Sequence, residues 1–172
     1  MLLKGVCHCG AIRFQLQSKT PVPFMHCYCN ICRKANGGGG YAINLGGDAE
    51  SLQVEGKEHM KKYHARIQQE DKVETSPGER HFCGKCGSAL WLWDHRWPEL
   101  IHPNASAIET PLPQPPEIVQ IFLESKPSWV QLPEYSGVQV VNFDAYPTES
   151  LEDWHKRHGL FDPPTPSVPD LT

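Results

Sequence analysis

The chain has 172 residues, 39% of them hydrophobic and 21% charged, and carries a formal net charge of -4. This length suits one domain with a sizeable core. The mild acidity, with no basic run longer than Lys61-Lys62, lacks the electrostatic footprint of a nucleic-acid binder, so small molecules or proteins are the expected partners. The start, MLLKGVCHCG, holds too short an apolar stretch for a secretion signal or a membrane span. A cytoplasmic protein is expected, with the nucleus as the other compartment.

Residues Gly10 to Gln17 alternate Ile12, Phe14 and Leu16 with Arg13, Gln15 and Gln17, the period-two pattern of a half-buried strand. Pro21 and Pro23 break the chain before the stretch MHCYCNICRKANGGGG, in which residues 33–36 suit a short helical turn and Gly37 to Gly40 a loop. The glycines serve either to bring bare backbone close to a ligand or as a flexible connection to the strand Tyr41 to Leu45. Ser51 to Glu55 and Met60 to His64 are two short strands separated by Gly56, and Thr75-Ser76-Pro77-Gly78 marks a turn by composition. Ser88 to Asp94 is a strand with Leu90 and Leu92 opposite Trp91 and Trp93, so that either both faces are covered or the tryptophans line a cleft. His102-Pro103-Asn104 reads as a turn, Pro111 to Pro116 as an extended loop, and Glu117 to Glu124 as a strand. Thr148 to His158 is a short helix with Thr148 as N-cap, ended by Gly159. Many short strands with little helix predict a mainly β domain of folded-over sheets over residues 1–160. The proline-rich residues 161–172 are expected to form an extended or disordered tail.

The seven cysteines divide into two short pairs, Cys7 with Cys9 and Cys83 with Cys86, and one triplet, Cys27, Cys29 and Cys32. An odd count with no secretion signal argues against disulfides and for metal or thiol chemistry. Structural zinc takes four protein ligands, whereas catalytic zinc keeps three and leaves a position open. Four and three therefore read as one zinc site of each kind, two per chain. The triplet can also be a cluster site or be closed by a histidine, for which the adjacent His26 is the candidate, although neighbours in an extended segment point to opposite faces.

The segments Cys7-His-Cys9-Gly10-Ala-Ile-Arg-Phe14, Cys27-Tyr-Cys29-Asn-Ile-Cys32-Arg33-Lys34 and Phe82-Cys83-Gly-Lys-Cys86-Gly87-Ser88-Ala-Leu90 occur in an order and spacing that resembles the glutathione-dependent formaldehyde-activating enzyme family, which includes centromere protein V. The resemblance spans roughly Leu3 to Leu123. It implies an Mss4-like β-fold, a structural zinc site at Cys7, Cys9, Cys83 and Cys86, and a catalytic one at Cys27, Cys29 and Cys32. It also implies a carbon-sulfur lyase acting on a thiol adduct such as S-hydroxymethylglutathione, with glutathione as co-substrate. The other reading is a zinc-stabilised protein-binding module without catalysis. A methionine sulfoxide reductase would need a nucleophilic cysteine outside the metal sites, and all seven are used.

Three thiolates around a divalent ion leave a local charge of about -1, which suits capture of a thiol better than activation of water. Arg33 and Lys34 directly follow Cys32 and can offset the added charge or bind a peptide carboxylate, with Arg33 the stronger candidate and Lys34 closer to a solvated surface charge. Gly38 and Gly39 of the loop join Arg33 as candidate contacts for the thiol ligand. Among histidines, His26, His64 and His81 lie nearest the motifs as proton carriers, while Tyr28 and Asn30 read as loop packing or as hydrogen-bond donors behind the ligands.

Overall fold

The computed structural model describes residues 1–19, 22–36, 38–68 and 71–160. The expected tail at residues 161–172, and Gly37 of the loop, lie outside the described residues. The strands are β1 (Leu2–Val6), β2 (Arg13–Gln17), β3 (Phe24–Cys27), β4 (Ala42–Asn44), β5 (Gly47–Asp48), β6 (Gln53–Glu55), β7 (Met60–Gln68), β8 (Val73–Cys83), β9 (Ala89–Trp93), β10 (Leu100–Pro103), β11 (Glu117–Ile121) and β12 (Gln139–Asn142). Two seven-residue helices, α1 (Asn30–Asn36) and α2 (Leu151–Arg157), complete the regular structure beside four short 3-10 turns. The fold is mainly β, as expected.

The strands form three sheets, ordered β1-β2-β6, β5-β10-β9-β8-β7 and β12-β11-β3-β4. In the first sheet β1 runs antiparallel to β2, with Gly5 opposite Phe14. Alternation places Ile12, Phe14 and Leu16 in the main core, where Phe14 meets Trp91 of the second sheet edge-on at 5.0 Å. The polar side of β2 is not solvated: Gln15 is buried as well, and its Nε2 donates to Gln53 Oε1 on β6 at 3.0 Å. The third sheet is mixed, with β11 parallel to both β3 and β12. All five residues of β11 are buried, as a central parallel strand requires.

Three expectations from composition are corrected. The segment Thr75 to Gly78 makes no turn but lies inside β8, because His64 pairs with Glu79 and Arg66 with Thr75, so the intervening residues bulge from the ladder. A bulge is where a strand tolerates Pro77, which has no N–H to donate. His102-Pro103-Asn104 is likewise no turn, since His102 pairs with Leu92 and Pro103 with Trp91 in β10. The N-cap of α2 is Ser150 rather than Thr148, and its Oγ accepts from the Asp153 amide at 3.0 Å. The chain reverses two residues later than composition alone suggests.

Helix α2 is fixed to the third sheet by one buried polar contact. Trp154, 2% exposed, donates its indole N–H to Glu117 Oε1 at 2.6 Å, and Glu117 is 1% exposed. Glu117 Oε2 has no hydrogen bond among the described residues, with His158 at 3.8 Å, while Arg157 Nη2 lies 3.5 Å from Oε1. Trp154→Phe would keep most of the apolar burial and remove the short buried donor, leaving the longer Arg157 contact, so we expect a loss of about 1–3 kcal/mol in urea unfolding. In the same assay Ser150→Ala should cost about 1 kcal/mol through the lost cap, while Thr148→Ala should move the midpoint little.

Candidate metal centre

Two knuckles of the same build bring the first four thiols together. After β1, Cys7 accepts the Gly10 amide on its carbonyl at 2.9 Å and donates its own amide to the Ile12 carbonyl at 3.0 Å. After β8, Cys83 repeats both contacts with Gly87 and Ser88, each at 2.9 Å. Gly10 and Gly87 sit at φ 71 and 77, the left-handed region that closes each loop and that a side chain would strain. Ser88 ties the knuckles together, its Oγ accepting the His8 amide at 3.0 Å and lying 3.2 Å from Cys86 Sγ.

The sulfurs of Cys7, Cys9, Cys83 and Cys86 all lie within 4.8 Å of one another. The Cys7–Cys9 and Cys9–Cys83 separations are 3.6 and 3.8 Å. A tetrahedron of sulfurs at the usual zinc–sulfur distance of about 2.3 Å has an edge of about 3.8 Å. None of the seven cysteines is in a disulfide. This donor set fits a sulfur-held metal ion.

The second group is Cys27 at the end of β3 with Cys29 and Cys32 at the start of α1, again with sulfurs within 4.8 Å of one another. The Cys32 amide donates to Cys29 Sγ at 3.3 Å, and Asn44 Nδ2 on β4 lies 4.0 Å from Cys32 Sγ. Thiol donation from Cys27 and Cys32 holds the Cys29 thiol down at about 2, and the same contacts push Cys27 far up. One thiolate thus forms at the expense of its neighbours, and ionising all three calls for a cation. Val119 and Ile121 of β11 pack with these cysteines, and Phe122 and Phe143 lie against them, so the group rests on an apolar floor.

No histidine or carboxylate joins this group among the described residues. His26 lies on the other side of β3, 1% exposed and stacked on Tyr41 at 4.8 Å, with Tyr135 edge-on at 5.7 Å. Burial depresses its imidazole to about 4. Tyr28 shares that aromatic cluster, 5.1 Å from Tyr41, which is loop packing as expected. His64 and His81 gather around Glu79, at 3.8 and 3.2 Å, and His81 stacks on Trp91. Trp91 is core, and Trp93 gives its indole N–H to the Pro98 carbonyl at 3.1 Å, so these rings cover a sheet face. Arg33 donates Nη2 to Asn30 Oδ1 at 3.0 Å within α1, while its Nε is buried without a hydrogen bond among the described residues. Lys34 is exposed, as are Gly38 and Gly39, and Gly40 is buried against Val130.

One residue that sequence reasoning left unassigned stands next to the triplet's apolar surround: Tyr146, which meets Phe122 edge-on at 4.6 Å, with Phe122 itself packed against the cysteines. Desolvation first, and the thiols after it, push its phenol up. Tyr146 comes from a distant segment with no spacing signal.

Residues 2–125 match the family model described as glutathione-dependent formaldehyde-activating enzyme. A Halomonas elongata protein that carries the same family name is 58% identical over 160 residues, covering 93% of this chain and 98% of its own. A crystal structure of a Rhodobacter sphaeroides protein superposes with a TM-score of 0.51 at 26% identity, covering 64% of this chain and 91% of that one. The knuckles, the two thiol groups and the length of these matches together place the chain in the glutathione-dependent formaldehyde-activating enzyme family.

Proposed function

We propose that both cysteine groups hold zinc and that the triplet is the working site of a carbon-sulfur lyase-type enzyme acting on a glutathione adduct such as S-hydroxymethylglutathione. The observation that carries this reading is the contrast between the two groups: four free thiols converge at one and three at the other, with no further protein donor among the described residues. The names of the family model and of the Halomonas elongata relative support glutathione as the thiol. Zinc at the triplet would supply an open position where a thiol with a free pKa of about 8.5 is held as thiolate at neutral pH.

The chain's own side chains account for the rest. The floor of Val119, Ile121, Phe122 and Phe143 keeps water from the thiols and strengthens every charge interaction above it. Arg33, directly after Cys32 on α1, is our candidate to receive a carboxylate of the tripeptide. Gly38 and Gly39 offer exposed backbone without side chains for the same ligand. When thiol and aldehyde combine, the carbonyl oxygen gains a proton, and when the adduct breaks, the hydroxyl gives that proton up. Tyr146 is our candidate to hold it, since its ring lies edge-on to Phe122, which packs against the cysteines.

The two groups should answer differently to substitution. Cys83→Ser is expected to unfold the domain and release its metal, because structural zinc contributes folding free energy directly. Cys29→Ser should leave the melting temperature near that of the unaltered protein while abolishing turnover. Equal destabilisation by the two changes would refute separate roles.

Ligand binding can be read without turnover. In the cobalt-substituted protein, sulfur-to-cobalt charge transfer should grow as glutathione is added. Arg33→Ala should weaken glutathione by about 1–3 kcal/mol and leave a small uncharged thiol unaffected. A spectrum that glutathione does not change, with both sites loaded, would mean that the triplet takes no thiol.

A further inference from the structure

The two most exposed large apolar side chains among the described residues are Tyr146 and Trp129, the latter at 66%. A single exposed apolar residue is ordinary on a protein surface. These two, however, both border the three-cysteine group. Tyr146 lies on Phe122, which packs against the cysteines, and Trp129 lies on Gly40. A Cβ at Gly40 would stand 3.2 Å from Trp129 Cη2 and 2.3 Å from Val130 Cγ2, so this glycine, at φ 90, lets both side chains sit directly on the loop. Gly40 stands two residues before Ala42, which pairs with Cys27 and packs with Cys27 and Cys32. Two residues span at most about 7 Å, so the indole meets the loop within that length of chain from the cysteines' own packing partner.

The segment that carries Trp129 leaves the same group from its other side. Ile121 of β11 pairs with Cys27 and accepts the Tyr28 amide at 3.0 Å. After Phe122 comes the 3-10 turn Leu123–Ser125, and a second turn closes where the Val130 amide donates to the Pro127 carbonyl at 3.1 Å. Lys126 Nζ donates to the Val130 carbonyl at 2.7 Å and to the Pro127 carbonyl at 3.4 Å, so its ammonium is occupied in holding that turn. Val130 is buried and anchors the turn, which leaves the neighbouring indole standing in solvent on a closely held support. A ring presented in this way loses little freedom when a ligand covers it.

We propose that Trp129 is a specificity-determining residue that lies against the peptide part of the thiol ligand, so that the site prefers a thiol peptide to a small thiol. This rests on reading the triplet as a thiol site. Gly38 and Gly39, directly before Gly40, expose backbone with no side chain. Between a flat indole and bare backbone, a planar amide finds ring surface on one side and hydrogen-bonding groups on the other. Because Lys126 is occupied, the contact runs through ring surface rather than charge, which separates it from the role given to Arg33.

The test reads the ring and the metal separately. In zinc-loaded protein with isotope-labelled tryptophan, the indole N–H resonance that Trp129→Phe removes reports this ring. Glutathione should shift it, and 2-mercaptoethanol should not. In cobalt-loaded protein followed by visible absorption, Trp129→Ala should weaken glutathione roughly tenfold and leave 2-mercaptoethanol within about twofold. Trp129→Phe, which keeps a ring, should retain most of the affinity. A Trp129 signal that stays still at saturating glutathione, or moves as far with 2-mercaptoethanol, would overturn the proposal. So would equal losses for the two thiols in Trp129→Ala, or no loss. A shift with glutathione in a protein whose cobalt spectrum glutathione leaves unchanged would support the peptide contact and refute the thiol reading. A cobalt spectrum that responds while Trp129 stays silent would do the reverse.

Discussion

The convergence of Cys7, Cys9, Cys83 and Cys86 is the constraint on which the other contacts depend. Cys9 and Cys83 are 74 residues apart in sequence yet 3.8 Å apart in space, and closing so long a loop has an entropic cost that local contacts do not repay. Four thiols converging as a set that could hold one metal ion would do so, and they meet where the end of β1 faces the end of β8. That meeting point aligns the first sheet against the second. Phe14 then falls on Trp91, and the main core assembles between them. Ser88, bridging the His8 amide and Cys86, completes the link with neutral hydrogen bonds.

The triplet is built on different terms. Its three thiols come from one short segment, so holding them requires no distant strand, and distant strands are instead spent on its surroundings. Strand β11 supplies the apolar floor and β4 supplies Asn44. On the reading proposed above, a site with its thiols on one local segment changes its outside ligand without unfolding. The four-cysteine knot cannot, because its ligands are the fold. This division gives the geometric sense of four against three.

What was legible in the sequence follows the same division. Ligand sets are local and carry spacing, so both cysteine groups were readable, as were strands with strong alternation such as Ile12, Phe14 and Leu16. The turn expected at Thr75 to Gly78 failed because composition reports where a backbone can bend, whereas pairing with β7 turned the same residues into a bulge. His102 to Asn104 failed for a like reason, since Trp91 and Leu92 offered a ladder that turn propensity does not register. The parallel pairing of β11 with β3 and β12 joins segments far apart in sequence and leaves no local trace. The burial of Arg80 could not be read either, because an arginine between Glu79 and His81 reads as surface in the sequence.

Phe122 shows how the floor and the mouth of the triplet become one structure. It is the only residue other than glycine at positive φ among the described residues, at φ 59, a conformation that costs on the order of 1–3 kcal/mol when held in place. An ordinary residue there would let β11 continue straight past the cysteines. The left-handed turn instead ends the strand at Ile121, directly behind Cys27, to which Ile121 is paired. The turned chain is then secured by hydrogen bonds from Phe122 to the Ala145 carbonyl at 3.1 Å and from Leu123 to the Phe143 carbonyl at 3.2 Å. Those bonds carry Phe143 onto the floor and bring Tyr146 over the Phe122 ring. Backbone strain at one residue is therefore offset by contacts that bring Phe143 onto the floor and Tyr146 against Phe122, which ties the end of a buried strand to the surroundings of the three thiols.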